Sequence, residues 1–396
     1  MNRRSFVWGL GTLFLSRGLL GCGSSGGRPT LRVQLLKGSI PAVILGKFRE
    51  RLQQAEIGNV ALDFVPQPRV HDLFELLQAW KRRGGAPPPA SQPPIAIPFV
   101  TQTPTPKADL VTLGDYWLEK AIQQQLIQPL DPTQWTQWKS LSPRWQSLVM
   151  RDRQGKPDAN GQVWAAPYRW GYTLIVYRKD LFEQQGLALP TDWADLWLQD
   201  LQGKISLLDN PREIIGLTLK KLGYSYNLAD IQQVSKLQQE LTALNRQTKF
   251  YGSTNYLQPL LLGQTWLAVG WSTDILQAMK RNYKLGTIVP QSGTALWADL
   301  WVRPASISPA PSSPLLHQWI DFCWQDKIAE QLSLQSQGIS PLFLDPTQKR
   351  SSTLEKIPGL AMGDQTLGKS EFLLPVTKAT LMQYQQLWHA MRQVVA

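Results

Sequence analysis

The chain has 396 residues, of which 43% are apolar and 18% charged, neither fraction extreme, as in a soluble globular α/β protein. Its 41 Lys and Arg against 29 Asp and Glu give a formal charge of +12. A basic balance can signal nucleic-acid binding, but there is no basic stripe or recognition motif and an export signal opens the chain, so that class is excluded.

Arg3-Arg4-Ser5-Phe6 resembles a twin-arginine export signal, and an apolar run from Phe6 to Leu20, interrupted by Arg17, follows it. The run is short for a membrane span, which takes about 20 apolar residues. Leu19-Leu20-Gly21-Cys22 has the form of a lipobox, with a small residue before the thiol that would carry the lipid. Gly-Ser-Ser-Gly-Gly after Cys22 suits a flexible tether. Residues 1–21 therefore read as a signal peptide and 22–30 as a tether. The alternative is an ordinary secretory signal with a chance cysteine. Arg3, Arg4 and Arg17 leave with the leader, so 38 basic residues face 29 acidic ones in the mature chain. That excess opposes long-range attraction of cations. With Cys22 lipidated, no intrachain disulfide is available to Cys323, which reads as a buried small hydrophobe. The remaining length exceeds what one core usually fills, so two lobes are expected.

In chain order, Leu31–Leu35 reads as a strand, Lys37–Pro41 as the loop after it, and Val43–Gln54 as a helix. Val60–Val65 and Asp72–Arg83 repeat the strand–helix pattern. Residues 84–106 hold eight prolines between Pro87 and Pro106 and read as a surface loop of polyproline II character. It could dock a partner or be a tolerated insertion. Asp109–Thr112 is the next strand, and Asp115 is placed as N-cap of a helix that turns Leu118, Ile122 and Leu126 inward. Ala165–Val176 is a long crossover carrying Tyr168, Arg169 and Trp170. Asn210-Pro211-Arg212-Glu213 opens a helix that Gly223 ends, and Glu213 could serve only its dipole. Asp230–Asn245 and Pro314–Gln335 read as helices, and so does Ala379–Val394.

The stretch Gly263–Trp301 is the most distinctive. Strand Thr265–Val269 precedes Gly270 and Trp271. A helix capped by Ser272 or Thr273, with Asp274 in its first turn, runs to Lys280. Strand Leu285–Val289 follows. In Leu296–Val302, alternation puts Trp297, Asp299 and Trp301 on one face. A carboxylate between indoles suits an organic cation, whereas the alternative is two core tryptophans beside a solvated Asp. His71, His317 and His389 are far apart, and no metal spacing, nucleophile elbow, P-loop or dinucleotide fingerprint occurs, so neither an enzyme nor a cofactor is expected.

The order GQTWLAVGWSTD, IVP, GTALWADLWVRP resembles the spermidine/putrescine-binding proteins of bacterial ABC importers, which are type 2 periplasmic solute-binding proteins. Ala108–Asp131, Trp164–Asp180 and Leu207–Asn227 resemble that family in register, as does Gly338–Pro341, and the likeness spans Leu31–Val394. It implies a two-lobed α/β fold of the type 2 periplasmic binding protein class, with the ligand in a cleft between lobes. Lobe 1 is expected over 31–165 plus 298–343, with the 84–106 insertion, and lobe 2 over 166–297 plus 344–396. The implied role is a periplasmic lipoprotein, a monomer serving a membrane permease and binding a polyamine. The family's ligand-facing positions fall on Tyr116, Glu213, Trp271, Trp297 and Asp299, with Ser39, Arg169 and Trp170 also facing the cleft. The chain departs from the family pattern at Lys37–Ile40, where an aromatic and an acid are expected, and at Asn210, where a second carboxylate is expected. Arg169 would repel a polyamine unless it pairs with Glu213 or Asp299. It leaves open a zwitterionic or anionic ligand, and a third alternative is an exported protein that kept the fold without transport.

Overall fold

The computed structural model describes residues 29–393 apart from 58–59, 83–106, 306–312, 345–353, 355–356 and 358–361. The leader, Cys22, most of the tether and the Pro-rich segment lie outside the described residues.

Strands β1 (Thr30–Leu36), β2 (Ala61–Gln67) and β3 (Leu110–Gly114) alternate with helices Ala42–Gln54 and Val70–Arg82. Three short strands follow: β4 (Ile127–Gln128), β5 (Met150–Arg151) and β6 (Gln162–Val163). The long β7 (Ala166–Arg178) comes next, then β8 (Ile205–Leu208), β9 (Thr248–Gly252), β10 (Leu267–Trp271), β11 (Leu285–Ile288), the second long strand β12 (Ala295–Pro304) and β13 (Glu371–Phe372). One sheet runs in the order β2-β1-β3-β12-β7-β10-β8-β9, with β11 also on β7 and both β4 and β13 on β12. β1 is parallel to β2 and β3, whereas β12 is antiparallel to both β3 and β7. β10 is antiparallel to β7 and parallel to β8.

Two hydrophobic cores flank the long pair. One gathers Leu31, Val33, Phe48, Leu110, Trp301 and Trp319; the other gathers Leu207, Ile214, Leu217, Leu241 and Tyr384. β7 feeds both: Leu174 and Val176 pack into the first, Ile175 and Tyr177 into the second. All thirteen residues of β7 are buried, as a strand with neighbours on each side and layers on each face requires. The expected lobe boundaries fall at the start of β7 and within β12.

Several sequence expectations are corrected. Asp115 does not cap a helix: Gly114 holds the N-cap position, and the Asp115 side chain accepts the Ala298 N–H instead. The single helix expected over 314–335 is two, Pro314–Cys323 and Asp326–Ser336. Between them Trp324 donates its Nε1–H to Pro167 O at 2.7 Å, and Gln325 is extended. The helix expected over 230–245 begins as a 3-10 turn, Ile231–Gln233, and resumes as Leu237–Gln247. Strand 265–269 is shifted to Leu267–Trp271.

Candidate functional site

A cleft of about 920 Å³ opens along the edge where β7, β10 and β12 lie side by side. Arg169 of β7, Trp271 of β10, and Trp297 and Asp299 of β12 line it, joined by Glu213, Tyr116, Asp115, Asp274 and Tyr256. Helix Pro211–Lys221 presents Glu213 because Asn210 caps it, its Oδ1 accepting the N–H groups of Arg212 and Glu213. The Glu213 carboxyl is 3% exposed and accepts from Trp271 Nε1 at 3.2 Å and Thr173 Oγ1 at 3.0 Å. Burial raises its pKa, opposed by those two donors and by the Arg212 charge. Arg212 also lines the cleft, with its guanidinium held by Tyr226 O, the Tyr384 hydroxyl and Asn227 Oδ1 rather than by Glu213.

Tyr256 links two other groups. Its hydroxyl accepts the Trp271 N–H at 3.1 Å and donates to Asp274 Oδ2 at 2.9 Å. Asp274 is open to the cleft yet enclosed by its walls, and that desolvation raises its pKa against Tyr256 and Arg169. The buried Asp115 carboxyl is pushed up to about 7, first by desolvation and then by the nearby Asp299, with the Ala298 N–H opposing. Among the described residues none of Asp115, Glu213 and Asp274 makes an ion pair.

Asp299 is different. Arg169 Nε donates to its Oδ2 at 2.6 Å, and both side chains are buried. The Arg169 guanidinium carbon lies 5.8 Å from the Trp297 ring centroid.

Six of the residues singled out from sequence thus meet in one cleft: Tyr116, Arg169, Glu213, Trp271, Trp297 and Asp299. Ser39 and Trp170 are outside its lining. Ser39 is fully buried, whereas Leu36 brings the loop's edge to the cleft. Trp170 points to the opposite side of β7 from Arg169 and donates its Nε1–H to Ser340 O at 3.2 Å. Trp301 is also core: it stacks on Tyr168 at 4.0 Å and 13°, because the face it shares with Asp299 runs on beneath the cleft floor. Sequence reading missed Asp115 and Asp274 as cleft carboxyls and Tyr256 altogether. Asp274, three residues after Trp271 in the resembling motif, was the available signal.

The family model for bacterial extracellular solute-binding proteins matches residues 105–362. The chain belongs to that family. Its members are binding proteins, not enzymes. This solute-binding protein is 27% identical over 225 residues to the spermidine/putrescine-binding periplasmic protein of Escherichia coli K12, a match covering 57% of this chain and 61% of that one. It therefore spans about three fifths of that relative. It is 30% identical over 186 residues to a putrescine/cadaverine-binding protein of Pseudomonas aeruginosa, covering 44% of this chain and 51% of the relative. Its fold matches the spermidine/putrescine ABC transporter substrate-binding protein PotD of Streptococcus pneumoniae with a TM-score of 0.74 at 19% identity, over 92% of this chain and 99% of that one. The two-lobed family fold expected from sequence is the fold found.

Proposed function

We propose that this protein is the extracytoplasmic receptor of an ABC importer and binds a polyamine in the cleft. The observation that carries the reading is the set Asp115, Glu213 and Asp274: three carboxyls on the walls of one aromatic cleft that form no ion pair among the described residues. Desolvated carboxyls are unfavourable as anions until a cation arrives, and an ammonium group supplies it. Trp271 and Tyr116 offer aromatic surface on the cleft wall to the methylene chain and its charges. The printed ligands of the relatives, spermidine, putrescine and cadaverine, have that chemistry. Arg169 as an anion clamp is disfavoured, since Asp299 already takes its Nε. On this reading the lobes divide as expected from sequence, a bound amine favours the closed form that a permease recognises, and Cys22 carries the lipid anchor.

Titration calorimetry tests the reading. Putrescine or spermidine should give saturable heat, and glutamate and phosphate none. Glu213→Gln should weaken amine binding by about 2–4 kcal/mol, the loss expected when one partner of a desolvated charge pair is removed. Heat with the anions alone would refute the reading.

A further inference from the structure

Arg169 and its surroundings carry a statement about which amine fits, and it rests on the polyamine reading. An ammonium group seeks a carboxylate to one side and an aromatic face to another. At the Trp297 end of the cleft that arrangement is already filled. Asp299 accepts from Arg169 at 2.6 Å, and Trp297 lies under the same guanidinium at 5.8 Å.

This cation is built in. The Arg169 side chain is 6% exposed. Its stem runs against Gly338, where a β-carbon would stand 2.9 Å from Arg169 Cδ. The bridge between Trp170 and Ile339 holds that corner in place, with N···O distances of 2.8 Å in both directions. Arg169 also faces Asp299 directly in the β7–β12 register, so the pair is set by the backbone. A ligand ammonium that displaced it would leave a buried guanidinium without a partner.

The charges are therefore divided along the cleft floor. Arg169, Gly171 and Thr173 share one face of β7, and Thr173 holds Glu213. Four residue steps along β7, about 13 Å, separate the two ends. At the far end Glu213 accepts from the Trp271 indole, whereas Asp274, held by Tyr256, lies between the ends, where the Arg169 charge still reaches it. At the near end only Asp115 remains, and it is weakened as an anion by burial and by Asp299.

We propose that Arg169 takes, from within the chain, the place of one ligand ammonium group beside Trp297 and Asp299, so that the cleft accepts a diamine seated near Trp271 and rejects a triamine. A longer ligand would bring its third charge up to a fixed guanidinium.

Calorimetry with putrescine and spermidine on the full mature protein and on Arg169→Met decides the matter. The wild type should bind putrescine about tenfold or more tightly than spermidine. Arg169→Met frees Asp299 and Trp297, and should shift the ratio towards spermidine by about tenfold or more. Arg169→Lys, which keeps a cation there, should retain the wild-type order. A wild type that prefers spermidine would overturn the proposal whether or not the variants fold. So would a folded Arg169→Met, checked by its melting temperature, with an unchanged ratio. Those results leave the polyamine reading intact. Failure of every amine to bind wild type and variants alike would instead remove that reading, and this one with it.

Discussion

The backbone of Gly171 passes so close to the Trp297 indole that a β-carbon on residue 171 would stand 2.3 Å from Cζ2. It would also stand 2.5 Å from the Ser272 hydroxyl oxygen, which accepts the Tyr172 N–H. The stretch Trp170-Gly171 thus decides where an aromatic wall of the cleft stands. Gly171→Ala must push Trp297 into the cleft or bend β7. The expected cost is about 1–3 kcal/mol of stability, as for overpacking in a close-packed site. Amine affinity should fall as well. Urea unfolding and calorimetry on the same sample would check both.

The Arg169–Asp299 pair should be costly to break and cheap to remove. Asp299→Asn strands a buried guanidinium, and about 3–5 kcal/mol of stability should be lost. The double substitution Arg169→Met with Asp299→Leu leaves no uncompensated charge and should recover most of it. Chemical denaturation of the three proteins gives the comparison. A single variant as stable as the wild type would mean that water already solvates the pair.

Asp115 sets a pH dependence with a definite sign. In the folded protein its carboxyl is pushed up to about 7 from an ordinary 3.8. Between those values the folded state holds a proton that the unfolded chain releases. Stability therefore falls as pH rises from about 4 to about 7, by up to roughly 4 kcal/mol. Asp115→Asn should remove that slope, which melting temperatures across pH 4 to 8 would reveal. An arriving ammonium favours the ionised carboxyl, so amine binding should release protons near neutrality. Affinity should then rise from about pH 5.5 to about pH 8. Calorimetry in two buffers of different ionisation enthalpy counts those protons.

The proposed lipid anchor can be tested without the fold. Cys22→Ser should move the protein from the membrane fraction to the soluble one. Equal membrane retention of the variant would eliminate the lipoprotein assignment.

How far the sequence could be read depended on the range of the interactions involved. Period-two alternation in β12 was visible, so Trp297 and Asp299 were placed on one face, and Asp299 was one of two acids foreseen as partners for Arg169. Pairing across strands then placed the cleft. Depth along that face was not legible: Trp301 obeys the same alternation but lies in the core against Tyr168. Nor was the role of Asp115, because an acid at a helix start looks the same whether it caps its own turn or reaches the Ala298 N–H, 183 residues away. The break at Trp324 was hidden for a similar reason. The apolar period continues through it, and the indole leaves the helix for a carbonyl of β7. Trp170 follows Arg169 directly and Ser39 comes three residues after Leu36, yet strand and loop geometry keep both outside the cleft lining.

The second cysteine has a practical consequence. Cys323 is 1% exposed, and burial pushes its thiol well above the usual range, so it offers almost no thiolate to an alkylating reagent at neutral pH. A soluble form starting after Cys22 then carries no reactive sulfur. New thiols at Lys37, in the exposed turn after β1, and at Tyr283, 82% exposed before β11, would be labelled selectively. A donor and an acceptor dye on those two positions would turn movement of one half against the other into a colour change, read one molecule at a time, without rebuilding the protein's own chemistry.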